Sequence, residues 1–304
     1  GRTDFERKVE GLPALPASSP VDLRLNLFLP ELTLRHFFGG YHSKISLITR
    51  LRERGVATRL VLVDEPRVNA DAVSEIVGAF PELERGLVES EIEAIGLRDR
   101  PLAVGPGDAL MATTWWSALV VNDLRRQLGR ERFLYFIQEY EPFTFSLGTW
   151  YRAAEQTYEL PHDAIFSTEV LERFFRDQKA GVFADGAASR RSLPFRNPIT
   201  GLRGMPRREL TSGRRPRLLF YARPQATEAR NMYDFGLAAL RLAAAELGPV
   251  LDGWDLVGVG SDRNAILDIG SGRSLRLIKK LDSYSYREML ASSDVGLSLM
   301  YTPH

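Results

Sequence analysis

The sequence predicts an α/β fold of two doubly wound domains, each a parallel sheet between helices, joined by one linker. Three observations predict it. Between residues 21 and 185, short apolar runs alternate with amphipathic helical stretches, which is the pattern of βα repeats. An arginine-rich stretch over 186–216, broken by Gly and Pro, interrupts that pattern, which resumes at Arg217. A length of 304 residues suits two domains rather than one.

Composition narrows the function. Net charge is +1, so no global field favours nucleic acid or acidic partners. There are no cysteines, which removes disulfides, thiolate metal sites and cysteine nucleophiles and fits a reducing compartment. The histidines His36, His42, His162 and His304 show no metal-ligand spacing. No apolar run approaches the ~20 residues of a membrane helix, and no basic-then-apolar leader opens the chain.

Residues 1–20 read as an extension and linker, charged at first and then rich in proline (Pro13, Pro16, Pro20), with Phe5 and Val9 able to dock a short helix. The first domain is expected over 21–185. Val21, Leu23, Leu25 and Leu27 alternate with Asp22, Arg24 and Asn26, so Val21–Leu29 reads as a strand with one buried face. Gly39-Gly40 then leads into a helix striped by Ile45, Ile48 and Leu51 and closed by Gly55, and Ala57–Val63 follows as the second strand. The glycine pair is either a tight turn or a place where a ligand meets the backbone closely. It is not a dinucleotide fingerprint, and neither is Gly258-Val259-Gly260, which argues against a nicotinamide-dependent oxidoreductase.

Ala72–Phe80 reads as a helix, and a second short helix is expected around Leu87–Ile95. Pro101–Val104 and Ala109–Thr113 read as strands, the latter feeding a helix over Trp115–Leu128. Trp115 and Trp116 line a cleft or pack in the core. Arg132–Ile137 is a strongly apolar strand ending in Gln138-Glu139-Tyr140-Glu141-Pro142. That acidic turn is either solvated surface or part of a site, since loops at strand C-termini carry function in α/β folds. Thr149–Tyr158 (helix), Ala164–Ser167 (strand) and the stripe Val170, Leu171, Phe174, Phe175 (helix) complete the domain.

The stretch 186–216 reads as a basic linker. Nine arginines fall from Arg190 to Arg217, with Glu209 the single acid. A solvated linker is the plainer reading; the alternative is contact with an anionic membrane or a lipid-linked phosphate. The arginines lack the interleaved aromatics of a nucleic-acid binder.

The second domain is expected over 217–304. Its strands are Arg217–Ala222, Trp254–Val259, Leu275–Ile278 and Val295–Tyr301, with helical segments between them. Those segments include Met232–Leu247 and Tyr284–Ala291, the latter capped by Ser283 or Ser285. Only about 88 residues follow the linker, so this domain is expected to be incomplete in the chain. Its first strand runs into Ala222-Arg223-Pro224, with Arg230-Asn231 beyond. A strand end feeding a helix N-terminus favours anions, and two guanidinium forks suit phosphate oxygens. A pyrophosphate site is the resulting expectation.

The ordered set Phe28-Leu29-Pro30, Gly39-Gly40, Gln138-Glu139-Tyr140-Glu141-Pro142, Phe220–Pro224 with Arg230-Asn231, and Asp294–Met300 with Pro303-His304 resembles the WsaF-type rhamnan-synthesis glycosyltransferases. These are retaining GT-B enzymes of glycosyltransferase family 4, and the resemblance runs from about Val21 to the chain end. It implies two Rossmann-like domains facing a cleft, the donor on the C-terminal domain and the acceptor on the N-terminal one. It implies a nucleotide sugar, dTDP-L-rhamnose above all, and a rhamnan or other surface-glycan acceptor that can be lipid-linked. The donor residues it implies are Arg223, Arg230, Asn231, Lys279 and Gly260. Gly39, Gly40 and Tyr41 fall at the sugar and acceptor cleft, and Glu139, Tyr140 and Glu141 form the catalytic turn on the acceptor side.

The family's acidic motif, which grips ribose and donor sugar, would follow His304, so the chain as it stands is expected not to turn over. The leaving diphosphate needs preorganised positive charge. No Asp-x-Asp placement for a metal is evident, so no cofactor and a metal-independent mechanism are expected. Retention by a front-face route needs no protein nucleophile. Glu139 and Glu141 stand too close in sequence to flank a glycosidic bond as a hydrolase pair does. The expected location is the cytoplasm, or peripheral at the cytoplasmic face of the membrane. The alternative function is a non-catalytic nucleotide- or glycan-binding module.

Overall fold

The structure is a computed structural model that describes residues 3–17, 23–37, 39–186, 191–196 and 215–303. The chain divides into two compact units, one of Gly1–Pro198 with Pro303–His304, the other of Ile199–Thr302. Most of the expected linker, including five of the nine arginines (Arg190, Arg203, Arg207, Arg208 and Arg214), lies outside the described residues, as do Val21 and Asp22.

The first unit opens with helix α1 (Asp4–Val9), strand β1 (Ala14–Pro16) and strand β2 (Arg24–Leu29). Next come α2 (Gly39–Glu53), β3 (Ala57–Leu62), α3 (Ala70–Ala79), α4 (Glu84–Val88), β4 (Glu91–Ala94), β5 (Leu102–Val104), β6 (Asp108–Ala112) and α5 (Trp115–Gln127). It continues with β7 (Phe133–Ile137), α6 (Thr149–Gln156), β8 (His162–Phe166), α7 (Glu169–Asp177) and β9 (Ser192–Pro194). Seven strands form one sheet in the order β4-β3-β2-β6-β7-β8-β9, every pair parallel.

Alternate residues of each strand enter two cores. Leu25, Leu27 and Leu29 pack with Ile45, Ile48 and Ile76 from α2 and α3. Phe28, Tyr135 and Ile137 pack with Val121, Leu124, Leu171 and Phe175 from α5 and α7. Helices on both faces of a parallel sheet make the unit Rossmann-like.

Several expectations are corrected here. All six residues of β2 are buried, because a central strand has both faces covered; Leu23, expected inside, is 54% exposed. The buried polar residues satisfy one another. Arg24 Nε donates to Asp108 at 2.6 Å and Asn26 Nδ2 to the same carboxylate at 2.9 Å, while Arg59 Nε donates to Asn26 Oδ1 at 2.6 Å.

The helix expected around Leu87–Ile95 ends at Val88, and Glu91–Ala94 is an edge strand paired with β3. Its Glu93 receives Arg59 Nη1 at 2.8 Å, a cross-strand pair that a helix would not offer. The described part of the extension, 3–17, is structured: β1 pairs parallel with β5, and α1 packs Phe5 against Trp115 and Trp150. Ser192–Pro194, expected as linker, is the last strand of the sheet.

The second unit holds β10 (Arg217–Tyr221), α8 (Tyr233–Glu246), β11 (Asp255–Ser261), β12 (Ala265–Gly270), β13 (Arg273–Lys279), α9 (Ser283–Ala291) and β14 (Val295–Leu297). The sheet order is β12-β13-β11-β10-β14, parallel except for β12. Leu237, Leu240 and Ala244 of α8 cover one face and Tyr286 and Met289 of α9 the other, so this unit is Rossmann-like too.

Here β12 is the correction. A helix was expected between β11 and β13, but Ala265–Gly270 turns through Ser271-Gly272 into an antiparallel hairpin with β13. The α9 cap is also Asp282, whose carboxylate accepts from the Ser285 N–H at 2.9 Å, rather than Ser283 or Ser285. Val295–Tyr301 is shorter than expected, its strand ending at Leu297. Among the described residues no helix is long and apolar enough to cross a membrane.

Candidate functional site

In the first unit a cleft of about 620 Å³ opens at the C-terminal ends of β2, β3, β6 and β7 and beside the first turn of α2. Parallel strands deliver their loops to this edge, which is why open α/β sheets bind ligands there. Glu31 follows β2, Asp64 follows β3, Thr113 and Thr114 follow β6, and Gln138, Glu139 and Glu141 follow β7. From α2 come Gly40, Tyr41 and Lys44, and from α1 comes Lys8.

The expected acidic turn splits in two. Glu139 and Glu141 line the cleft. Tyr140 does not: it is 8% exposed, and its ring packs on Phe143, Tyr158, Phe174 and Phe175 while its hydroxyl donates to Glu155 at 3.4 Å. Successive residues of an extended chain point to opposite sides, so one turn cannot present all three to one cavity.

Glu141 is held from two directions. Tyr135 Oη donates to it at 3.4 Å, and the backbone N–H of Trp115, the first residue of α5, also reaches it. Burial, reinforced by neighbouring Glu139, nevertheless raises its pKa; Lys44 and the Trp115 N–H pull the other way. Lys44 is 4% exposed. Burial lowers the pKa of its amine against the opposing pull of Glu141 and Glu139. The amine stands 5.0 Å from the Tyr41 ring centroid. Burial also raises the Tyr41 pKa, with Glu31 next in effect.

Sequence reasoning missed Lys44, Lys8 and Asp64. The signal for Lys44 was a lysine next to the apolar stripe Ile45, Ile48 on the inward face of α2, where a charge is costly unless used. Lys8 was hidden by taking residues 1–20 as linker. It pairs with Asp64 and lies 4.2 Å from the Trp116 ring centroid, while Trp116 Nε1 donates to the same Asp64 at 3.1 Å. The adjacent tryptophans divide accordingly: Trp115 is fully buried core, and Trp116 is cleft wall.

Gly39 and Gly40 are the first two residues of α2 rather than a turn before it. A Cβ on Gly39 would meet nothing within 4 Å, whereas one on Gly40 would lie 2.8 Å from Gln138 Oε1. The close approach at Gly40 is therefore to Gln138.

The second unit gathers the other predicted residues at the corresponding sheet edge. Arg223 follows β10, Gly260 is near the end of β11, and Lys279 ends β13. Arg223 Nη1 donates to Tyr221 Oη at 3.0 Å and Nη2 to Glu228 Oε1 at 2.6 Å. Arg230 Nη1 lies 3.3 Å from Glu228 Oε2, and Asn231 Nδ2 donates to that oxygen at 3.1 Å.

Gly260 has φ +115°, and a Cβ there would lie 2.6 Å from Arg223 Cδ, so glycine is what lets the arginine stem cross this strand. Lys279 is exposed, and its backbone N–H donates to Asn264 at 2.9 Å. The expected strand-to-helix turn is longer than anticipated. A 3₁₀ segment, Ala226–Asn231, kinks at Glu228, and Met232 takes a left-handed conformation (φ 47°) before α8 begins.

Comparison with known proteins places the chain. The N-terminal domain of WsaF matches residues 24–169 and the C-terminal domain of WsaF matches residues 216–304. The chain is similar to the O-antigen biosynthesis protein RfbC of Myxococcus xanthus, at 29% identity over 313 aligned positions. That alignment takes in 100% of this chain and 22% of RfbC, so the chain spans about a fifth of the relative's length. Among solved structures it is similar to the glycotransferase of kitacinnamycin, with 15% identity, a TM-score of 0.41, and coverage of 90% of this chain and 74% of that one. The two WsaF domains thus match this chain one after the other, in the order N-terminal then C-terminal.

Proposed function

We propose that the protein is a glycosyltransferase that moves a sugar from a nucleotide diphosphate onto a surface-glycan acceptor. The donor is dTDP-L-rhamnose, the configuration at the transferred carbon is retained, and no metal takes part. The observation that carries this reading is the convergence of Arg223, Arg230 and Asn231 on a single anionic group at the C-terminal edge of the second unit's sheet. The matches to the two WsaF domains and the similarity to an O-antigen biosynthesis protein support it.

In this reading the second unit holds the diphosphate. Arg223 and Arg230 supply fixed positive charge where negative charge develops on the leaving group, the largest single device for such transfers. Lys279 at the end of β13 is a further phosphate contact. The first unit holds the acceptor. Its cleft sets four carboxylates, Glu31, Asp64, Glu139 and Glu141, against two amines, Lys8 and Lys44. Such a cavity suits the hydroxyl groups of a neutral sugar, which donate hydrogen bonds to carboxylates. It repels a second diphosphate. Glu139 and Glu141 orient the attacking hydroxyl, and Trp116 and Tyr41 offer ring faces to the sugar.

Titration calorimetry of the chain with dTDP, UDP and GDP tests the donor half. The proposal expects saturable binding with dTDP the tightest. Absence of binding by all three contradicts it.

A further inference from the structure

We infer that Glu228 is an internal substitute for the donor's phosphate, so that nucleotide binding must displace it and its carboxylate sets how tightly the donor is held. This rests on the donor-site reading above and goes beyond it by assigning a residue that competes with the ligand.

The inference comes from what the three donors touch. Arg223 Nη2, Arg230 Nη1 and Asn231 Nδ2 all reach the two oxygens of one carboxylate, at 2.6, 3.3 and 3.1 Å. A carboxylate held by guanidinium groups has the geometry that a phosphate takes in the same forks. Two of the three Arg223 nitrogens have partners: Nη1 is on Tyr221 Oη and Nη2 is on Glu228, while Nε is buried with none. The stem cannot swing toward the β11 side, because Arg223 Cδ already fills the space above Gly260. A phosphate that approaches through Nη2 must compete with Glu228 for it.

The surroundings are built for such an exchange. The Glu228 side chain is only 19% exposed, so its charge is compensated by these donors and little by water. A diphosphate brings more negative charge and more acceptor oxygens to the same forks, so it wins the exchange when present. The backbone is irregular at this point. Glu228 sits at φ −117°, ψ 22° inside a 3₁₀ segment, and Met232 at φ 47° separates that segment from α8. Gln225 Oε1, on the same loop, is a second buried polar atom without a partner.

The test is calorimetric titration of the chain with inorganic pyrophosphate and with dTDP, comparing wild type, Glu228→Gln, Arg223→Ala and the double variant. Glutamine keeps the size of the side chain and removes its charge. Glu228→Gln is expected to bind pyrophosphate and dTDP at least about fivefold more tightly, since a charge-assisted competitor has gone, and the double variant is expected to lose that gain. Equal or weaker binding by Glu228→Gln, with wild type still binding and Arg223→Ala impaired, overturns the inference and makes Glu228 a residue that only positions the arginines. If no form binds either ligand, the donor-site reading falls and this inference with it. A circular-dichroism melt of each variant confirms that differences in binding are not differences in folding.

Discussion

The side-chain amide of Gln138 donates to the Gly40 carbonyl at 2.8 Å, which ties the end of β7 to the first turn of α2 at the cleft. The same pair leaves no room for a side chain at position 40, since a Cβ would lie 2.8 Å from Gln138 Oε1. Gly40→Ala must therefore turn the amide away. The lost hydrogen bond costs about 0.5–1.5 kcal/mol and the better helix former returns up to ~1 kcal/mol. Stability is expected to change by less than about 1 kcal/mol in a denaturant titration, while the affinity for acceptor glycan falls. A large loss of stability would show that the glycine serves the fold and not the cleft.

Lys44 is expected to separate stability from function. A buried amine beside buried carboxylates is retained at a cost that apolar groups of similar size avoid. The double variant Lys44→Met/Glu141→Gln, which removes the charge from both sides, should leave the melting temperature unchanged or raise it, and should weaken acceptor binding by about tenfold, the stability–activity trade seen at functional residues. A fall in melting temperature with acceptor affinity intact would assign Lys44 to structure.

Gly260→Ala should do two things at once. A residue with a side chain at φ +115° is strained, costing about 1–3 kcal/mol. The new Cβ must also push Arg223 aside. Thermal melting should show the first effect, and loss of dTDP binding in calorimetry the second. Strain without any change in nucleotide affinity would mean that the Arg223 stem is free to adjust.

The Arg24–Asp108 pair predicts how the first unit meets acid. Burial alone would raise the Asp108 pKa, but hydrogen bonds from Arg24, Asn26 and the Gly105 N–H outweigh it and hold the carboxyl below its ordinary value. A group with a depressed folded-state pKa adds stability above its unfolded value, about 3.9, and that stability is lost as pH falls through the folded value. Unfolding followed by fluorescence should therefore show stability dropping below about pH 4. Asp108→Ala, which leaves Arg24 buried without its partner, should cost about 3–5 kcal/mol at neutral pH. A variant as stable as wild type at neutral pH would contradict this.

The fold was largely legible because hydrophobic periodicity tracks burial. The strands at 24–29, 57–62, 133–137 and 217–221 and the helices between them announce themselves. What failed has physical causes. Arg24 and Asn26 looked like an outer face because their buried partners, Asp108 and Arg59, are distant in sequence. The strand Glu91–Ala94 is short and polar, and only its pairing with β3 makes it a strand. The β12–β13 hairpin was masked by the expectation that helices alternate with strands, although Gly270-Ser271-Gly272 is a turn sequence.

The site was legible in part for the same reasons. Local chemistry singled out Arg223, Arg230, Glu139 and Glu141. Tyr140 was included with its neighbours because one-dimensional proximity does not say which way a side chain points. Lys44, Lys8 and Asp64 join the cleft only through tertiary packing, and Glu228 is defined by what converges on it.

The most direct test of the central claim, a donor diphosphate site built on Arg223 and separate from the acidic cleft, is calorimetric titration with dTDP of wild type, Arg223→Ala and Glu139→Gln. The account predicts that Arg223→Ala loses about 2–3 kcal/mol of binding or more while Glu139→Gln binds dTDP as wild type does. Undiminished dTDP affinity in Arg223→Ala, or an equal loss in Glu139→Gln, would contradict it.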